Sequence, residues 1–162
     1  MKYRLIIILS IIFSFVIFTC AEKEESTTDT TTDTTTDTTT SWTKLLGTSG
    51  NEYAYGVATD SSGNVYVTGY TNGRLDGNTI AGSSDLFVVK YNSSGTKQWT
   101  KQLGTSSNDS ARGVATDSSG NVYVAGFTEG GLDGNTNAGS AEPQQGNNDI
   151  VVLKYNSDGV KQ

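Results

Sequence analysis

The chain has 162 residues and a formal charge of −6, with 19 glycines, one proline, one cysteine and no histidine. Lacking histidine and a spare thiol, it has neither the commonest general base nor the usual sulfur nucleophile, no intramolecular disulfide, and few means of holding a transition metal; this argues against an enzyme. Its 11 basic residues form no basic patch, which points away from nucleic acid.

Met1-Lys2-Tyr3-Arg4 is a short cationic start to an uncharged run over residues 5–21, dominated by Ile, Leu, Phe and Val. That is the layout of a secretory signal. A permanent membrane helix is the alternative, but a span needs about 20 apolar residues, and this run holds 17 and ends in Thr19-Cys20-Ala21. Cys20 is hard to explain there as a packing residue. These residues resemble the lipobox of bacterial lipoproteins: Ile17 fits its aliphatic position, while Phe18 and Thr19 depart from its small residues. The resemblance implies that residues 1–19 are a removed signal peptide and that Cys20 carries acyl chains such as palmitate. Two chains hold a protein on a bilayer where one is marginal, so the expected partner is a membrane. An unmodified thiol within a signal sequence is the other reading.

Residues 20–41 then read as a linker. After Ala21-Glu22-Lys23-Glu24-Glu25, threonines alternate with Asp29, Asp33 and Asp37, and the segment 21–41 carries −5. Nothing in it can bury apolar surface, so a disordered tether is expected, extended by its own charge. Such a tether suits display at the cell surface, and the expected location is the cell envelope, at the outer membrane.

From Trp42 the chain copies itself. Residues 42–79 set against 99–136 give 29 identities in 38 positions at an offset of 57, which means one folding unit in tandem. Short apolar runs separated by Gly, Asn, Ser and Asp indicate strands, and no 3.6-residue period survives after Ser41. A strand near residues 55–59 turns at Asp60-Ser61-Ser62-Gly63 into 64–69, and Asp117-Ser118-Ser119-Gly120 repeats the turn. The runs 85–91 and 150–153 are apolar on both faces and so need cover on both. A second turn at Asn92-Ser93-Ser94-Gly95 leads into a fourth strand over 96–103.

Four antiparallel strands in about 50 residues, sandwiched between like sheets, describe a β-propeller blade. The expected class is therefore all-β: about two tandem four-stranded blades in an incomplete ring, covering 42–162, with 42–103 as one strand plus the first blade and 104–162 as a second blade lacking its last strand. The residues 56–69, 85–91 and 95–104 resemble the SBBP repeats, named for a seven-bladed β-propeller and frequent in bacterial secreted and envelope proteins. That resemblance implies a binding or scaffolding role without catalysis. The chain begins with a fourth strand and ends without one, complementary defects that copies of the chain could exchange head to tail as a homo-oligomer. A remnant of a longer propeller, structural and without ligand, is the alternative.

Candidate sites are few. Leu75-Asp76-Gly77-Asn78-Thr79 recurs as Leu132-Asp133-Gly134-Asn135-Thr136, so Asp76, Asn78, Asp133 and Asn135 are candidates for hydrogen-bonding a glycan or protein ligand; a loop pinned by its Leu and turned by Asp-Gly is the plainer reading. Seven residues are inserted around Glu142-Pro143-Gln144-Gln145-Gly146, which makes Gln144 and Gln145 the candidates for a selective contact. Residues 60–64 and 117–121 space oxygens near a glycine, but they lack the carboxylates of a calcium loop and read as hairpins. No cofactor and no metal is expected.

Overall fold

The computed structural model describes residues 41–141 and 148–162, all within one compact unit. The signal segment, Cys20, the tether up to residue 40, Gln144 and Gln145 lie outside the described residues. Among the described residues seven strands form two antiparallel meanders. The first sheet runs β1 (Glu52–Thr59), β2 (Val65–Thr71), β3 (Asp85–Tyr91) and β4 (Lys97–Leu103); the second runs β5 (Asp109–Thr116), β6 (Val122–Thr128) and β7 (Asp149–Tyr155). In each sheet, spatial order follows chain order. The protein is thus all-β, with two tandem blades in an arrangement that does not close.

The expected turns are formed as their residues require. Asp60 and Asp117 open tight hairpins closed by Gly63 and Gly120, at φ of 74° and 76°, a region where a side chain costs roughly 1–2 kcal/mol. The first strand of each sheet is bulged at the same place: register shifts between Ala54 and Gly56 in β1, and between Ala111 and Gly113 in β5. The extra residues, Tyr55 and Arg112, are left out of the ladder, and bulges of this kind re-aim a side chain.

Alternation along each strand sends successive side chains to opposite faces. In β3, Leu86 and Val88 join a core with Ala111, Val122, Val124, Val151 and Leu153 of the second sheet, while Phe87, Val89 and Tyr91 face the other way, onto Leu75, Trp42 and Leu46. Every residue of β3 is buried, as its two-faced apolar pattern demands. In β7 only one face is covered. Val151, Leu153 and Tyr155 are buried, but Ile150 and Val152 are 87% and 67% exposed.

The segment 42–47 departs from expectation. It forms no strand among the described residues, because no sheet edge lies beside it to supply a ladder. It lies instead against the outer face of the first sheet through Trp42 and Leu46. Among the described residues the second sheet has three strands, and along the outer edge of β7 only the C-terminal residues pair, through a Tyr155–Lys161 bridge and a hydrogen bond from Gln162 N to Lys154 O at 2.9 Å.

Candidate functional site

The recurrent loops are anchored inside the fold. A one-turn 3-10 element at Leu75–Gly77 buries Leu75 and holds Asp76 at φ 50°. The Asp76 carboxylate accepts from Lys97 Nζ and Thr100 Oγ1 of β4. Partial burial pushes this carboxyl up, but those two partners outweigh it and hold it below the ordinary range. Asn78 Nδ2 donates to Leu75 O at 2.7 Å. In the second copy Asn135 Nδ2 donates to Leu132 O at 3.0 Å, and Lys161 Nζ reaches both Asp133 oxygens at 2.6 Å. Asp76 and Asn78, and likewise Asp133 and Asn135, are brought together within their own copies; the asparagines brace their own loops, Asp76 ties its loop to β4, and Asp133 ties its loop to Lys161, beyond the end of β7.

Gln102 completes the clamp in the first sheet. Its Oε1 accepts from Leu75 N at 3.0 Å, and its Nε2 donates to Gly73 O and Asp85 Oδ2, each at 3.0 Å. The matching place beside β7 is a groove lined by Gly130, Leu132, Asp133, Val151 and Leu153, among others.

The hairpin carboxylates are equally committed. Asp60 accepts from the Ser62 and Asn64 amides, from Asn64 Nδ2 and from Tyr66 Oη, at 2.8–3.0 Å. Burial raises its pKa, yet these donors together leave it lowered. Asp117 repeats the set with Ser119, Asn121 and Tyr123, and the Asn121 side chain leads in holding that carboxyl low. Burial, with the Asp60 carboxylate beside it, keeps the Tyr66 hydroxyl protonated well above the usual phenol range. Among the described residues no cluster of three or more His, Cys, Asp or Glu is placed to hold a metal.

Trp99 lies between Tyr66 and Tyr155, with ring centroids at 6.0 and 6.3 Å, and donates from Nε1 to Ser157 O at 3.1 Å. Lys90 Nζ reaches the same carbonyl at 3.0 Å. Thr116 Oγ1 bridges to Thr59 O at 2.9 Å. Arg112, the bulged residue of β5, stands 4.1 Å over the ring of Tyr55, the bulged residue of β1, and 5.3 Å from that of Phe127. For Lys90, Arg112 and Tyr55 the sequence carries one signal of these contacts: Tyr55 and Arg112 differ inside an otherwise copied Ala-x-Gly-Val-Ala-Thr.

A second difference between the copies leaves a mark in the core. Glu52 accepts from Thr48 N, Thr48 Oγ1 and Thr71 Oγ1 at 3.1, 2.6 and 2.9 Å. Its counterpart Asp109 is one carbon shorter and fully buried; Oδ2 accepts from Thr105, and Oδ1 has no partner.

No curated protein matches the chain. Residues 41–76 and 98–133 each match the family model described as Beta-propeller repeat, SBBP, and each match runs from the tryptophan segment through the first two strands of a sheet to the clamped loop, so both copies are similar to that repeat family.

Proposed function

We propose that this chain is a non-catalytic structural module, two blades of a propeller-type repeat, that works through its sheet faces and edges. The observation that carries the reading is the contrast at one repeat position: Leu86 and Val88 are fully buried between the sheets, while their counterparts Ile150 and Val152 stand in solvent. An apolar sheet face left this exposed by the described residues is a contact surface. The clamped carboxylates support the same view, since their lone pairs already serve the fold.

The module is held at the cell envelope, on the outer membrane, through acyl chains on Cys20 and the Thr/Asp tether. The cationic start, the apolar run and the cysteine at its end support this part of the reading. Cys20→Ser tests it by fractionation. The mature protein should move to the soluble fraction, and unchanged membrane partition would mean an uncleaved helix.

Ligand binding through the loops is the second reading, favoured by the seven-residue insertion that sets the second copy apart. A glycan array probed with the full chain distinguishes the two. Selective binding lost on Gln144→Ala and Gln145→Ala supports a glycan-binding module, and a blank array supports the structural one.

A further inference from the structure

We propose that the outer edge of β7 accepts segment 42–46 of a second copy of this chain as its fourth strand. This deepens the structural reading above and rests on it.

The first sheet supplies the template. There β4 fills the edge of β3 in the register Leu86–Leu103, Phe87–Gln102, Val89–Thr100 and Lys90–Trp99. One side of β4, Thr100 and Gln102, clamps the loop of its own blade; the other side, Trp99 and Leu103, packs against the next blade.

Segment 42–46 is the counterpart of 99–103, and half of that double role is already performed. Trp42 Nε1 donates to Ser93 O at 3.2 Å, as Trp99 does to Ser157 O. A Cβ on Gly95 would come within 2.6 Å of the Trp42 indole, and one on Gly159 within 2.9 Å of the Trp99 indole, so both rings seat on equivalent turns. Leu46 packs where Leu103 does in the other blade. The opposite side is unused: Thr43 is exposed, Leu45 is 97% exposed, and no ladder forms. The segment is seated as the last strand of a blade that precedes it, and that blade is missing from the described residues.

The second sheet presents what is missing. Carrying the register across places Trp42 opposite Lys154, Thr43 opposite Leu153, Leu45 opposite Val151 and Leu46 opposite Ile150. The Thr43 hydroxyl then meets Asp133 as Thr100 meets Asp76. Leu45, standing for Gln102, exchanges amide hydrogen bonds for contact with Leu132 and Val151. Ile150 and Val152 come to face the cleft lined by Leu75, Phe87 and Val89. One further detail fits: Ser157 O accepts both Trp99 and Lys90, whereas Ser93 O accepts Trp42 alone among the described residues. Lys154, the counterpart of Lys90 and placed over Tyr123 as Lys90 is over Tyr66, is the donor that would fill the second place. Main-chain pairing along an open edge supplies affinity and the alternate side chains supply selectivity. The contact is heterologous, so copies add head to tail until a ring closes, at two to four copies for a propeller of about four to eight blades.

The test uses the full chain in a Cys20→Ser background, with Thr43→Cys on one copy and Leu153→Cys on another. Directly opposed antiparallel residues have Cβ atoms about 4.5–5.5 Å apart, close enough for mild oxidation to join the two copies in the mixture and neither alone. Val152→Cys in place of Leu153→Cys points to the other face and should not cross-link. Sedimentation of the chain without the cysteine pair should give two to four copies. Because engineered cysteines can disturb folding, Val152→Lys gives an independent measure on a solvent-facing position: it should weaken self-association at least about tenfold by burying an unpaired charge. A monomer with an intact β-sheet circular dichroism signal overturns the strand exchange and leaves the structural module standing. Equal cross-linking to Val152, or self-association indifferent to Val152→Lys, overturns it also. Loss of the β signal in the unaltered chain sinks both readings.

Discussion

Leu86 and Ile150 occupy the same place in the two copies, one fully buried and the other 87% exposed, so the pair of substitutions Leu86→Ala and Ile150→Ala measures directly what one sheet gains from the next. Leu86→Ala removes three carbons from the core between the sheets, worth about 2.4 kcal/mol at ~0.8 kcal/mol each. The site collapses poorly, since β3 is hydrogen-bonded on both sides, to β2 and to β4. A residual cavity therefore adds to the transfer term, and the expected loss is about 3–5 kcal/mol, against a total stability of about 5–15 kcal/mol for a domain of ordinary size. Ile150→Ala, at dilution where single copies prevail, should change stability by no more than about 0.5 kcal/mol. Urea unfolding followed by fluorescence reports both, because Trp99 sits in the loaded interface and Trp42 on the far face of the same sheet. A loss below about 1 kcal/mol for Leu86→Ala, or an equal loss for the two at dilution, would show that the sheets do not meet as described. An Ile150→Ala loss that grows with protein concentration belongs to the strand exchange proposed above.

Asp60→Ala should cost about 1–2 kcal/mol, since it deprives Tyr66 of its acceptor and opens the hairpin, and chemical denaturation would show no loss if the turn were held by its glycine alone. The carboxyls of Asp60 and Asp117 are held below their ordinary range in the fold; their contribution is complete above the unfolded carboxyl pKa and disappears as pH falls through the folded one, so acid unfolding of the Asp60→Asn and Asp117→Asn variants should depend less steeply on pH than that of the natural chain. Asp109→Glu, which copies Glu52, should gain about 0.5–1.5 kcal/mol by bringing the unpartnered oxygen to Thr128; a lower thermal midpoint would mean that the socket cannot take the longer chain. Gly159→Ala should cost at least about 1–2 kcal/mol, because φ there is 75° and the new Cβ meets the Trp99 ring, and it should alter Trp99 fluorescence, which a purely backbone effect would leave alone.

What could be read from the residues is what each segment needs; what could not be read is which neighbour supplies it. The Asp-Ser-Ser-Gly turns were legible because a carboxylate that bonds two residues ahead and a glycine tolerant of positive φ act locally. The strand Asp85–Tyr91 was legible because a run apolar on both faces admits only a position between layers. The same logic places residues 150–153 between two layers, yet among the described residues only one is present, since nothing local distinguishes a covered face from one awaiting cover. Segment 42–47 carries the residues of β4 with Leu45 in place of Gln102, and still forms no ladder, because a strand is defined by its partner edge. The polar loop residues looked available for a ligand; Lys97, Thr100 and Lys161, which engage their carboxylates, lie 21 to 28 positions away in sequence. Lys90 gave no signal of burial, its ammonium being satisfied by a carbonyl 67 positions on.

Near-exact duplication constrains assembly, because a face that fits its copy within the chain fits the same face on another molecule. The differences between the copies decide whether that second fit is tolerated. Within the chain β1 and β5 meet through Arg112 over Tyr55. In a head-to-tail joint the β5 strand of one molecule would meet the β1 strand of the next, so the pair becomes Arg112 against Tyr55 again with the order reversed. Two identical blades carrying arginine at both bulges would place like charges together at every joint, and two carrying tyrosine would lose the cation–π contact, each instance of which contributes about 0.5–1 kcal/mol at an exposed site. Alternation of Tyr55 and Arg112 avoids both. The divergence at the bulge is thus compatible with the joint inside the chain and with the joint between chains.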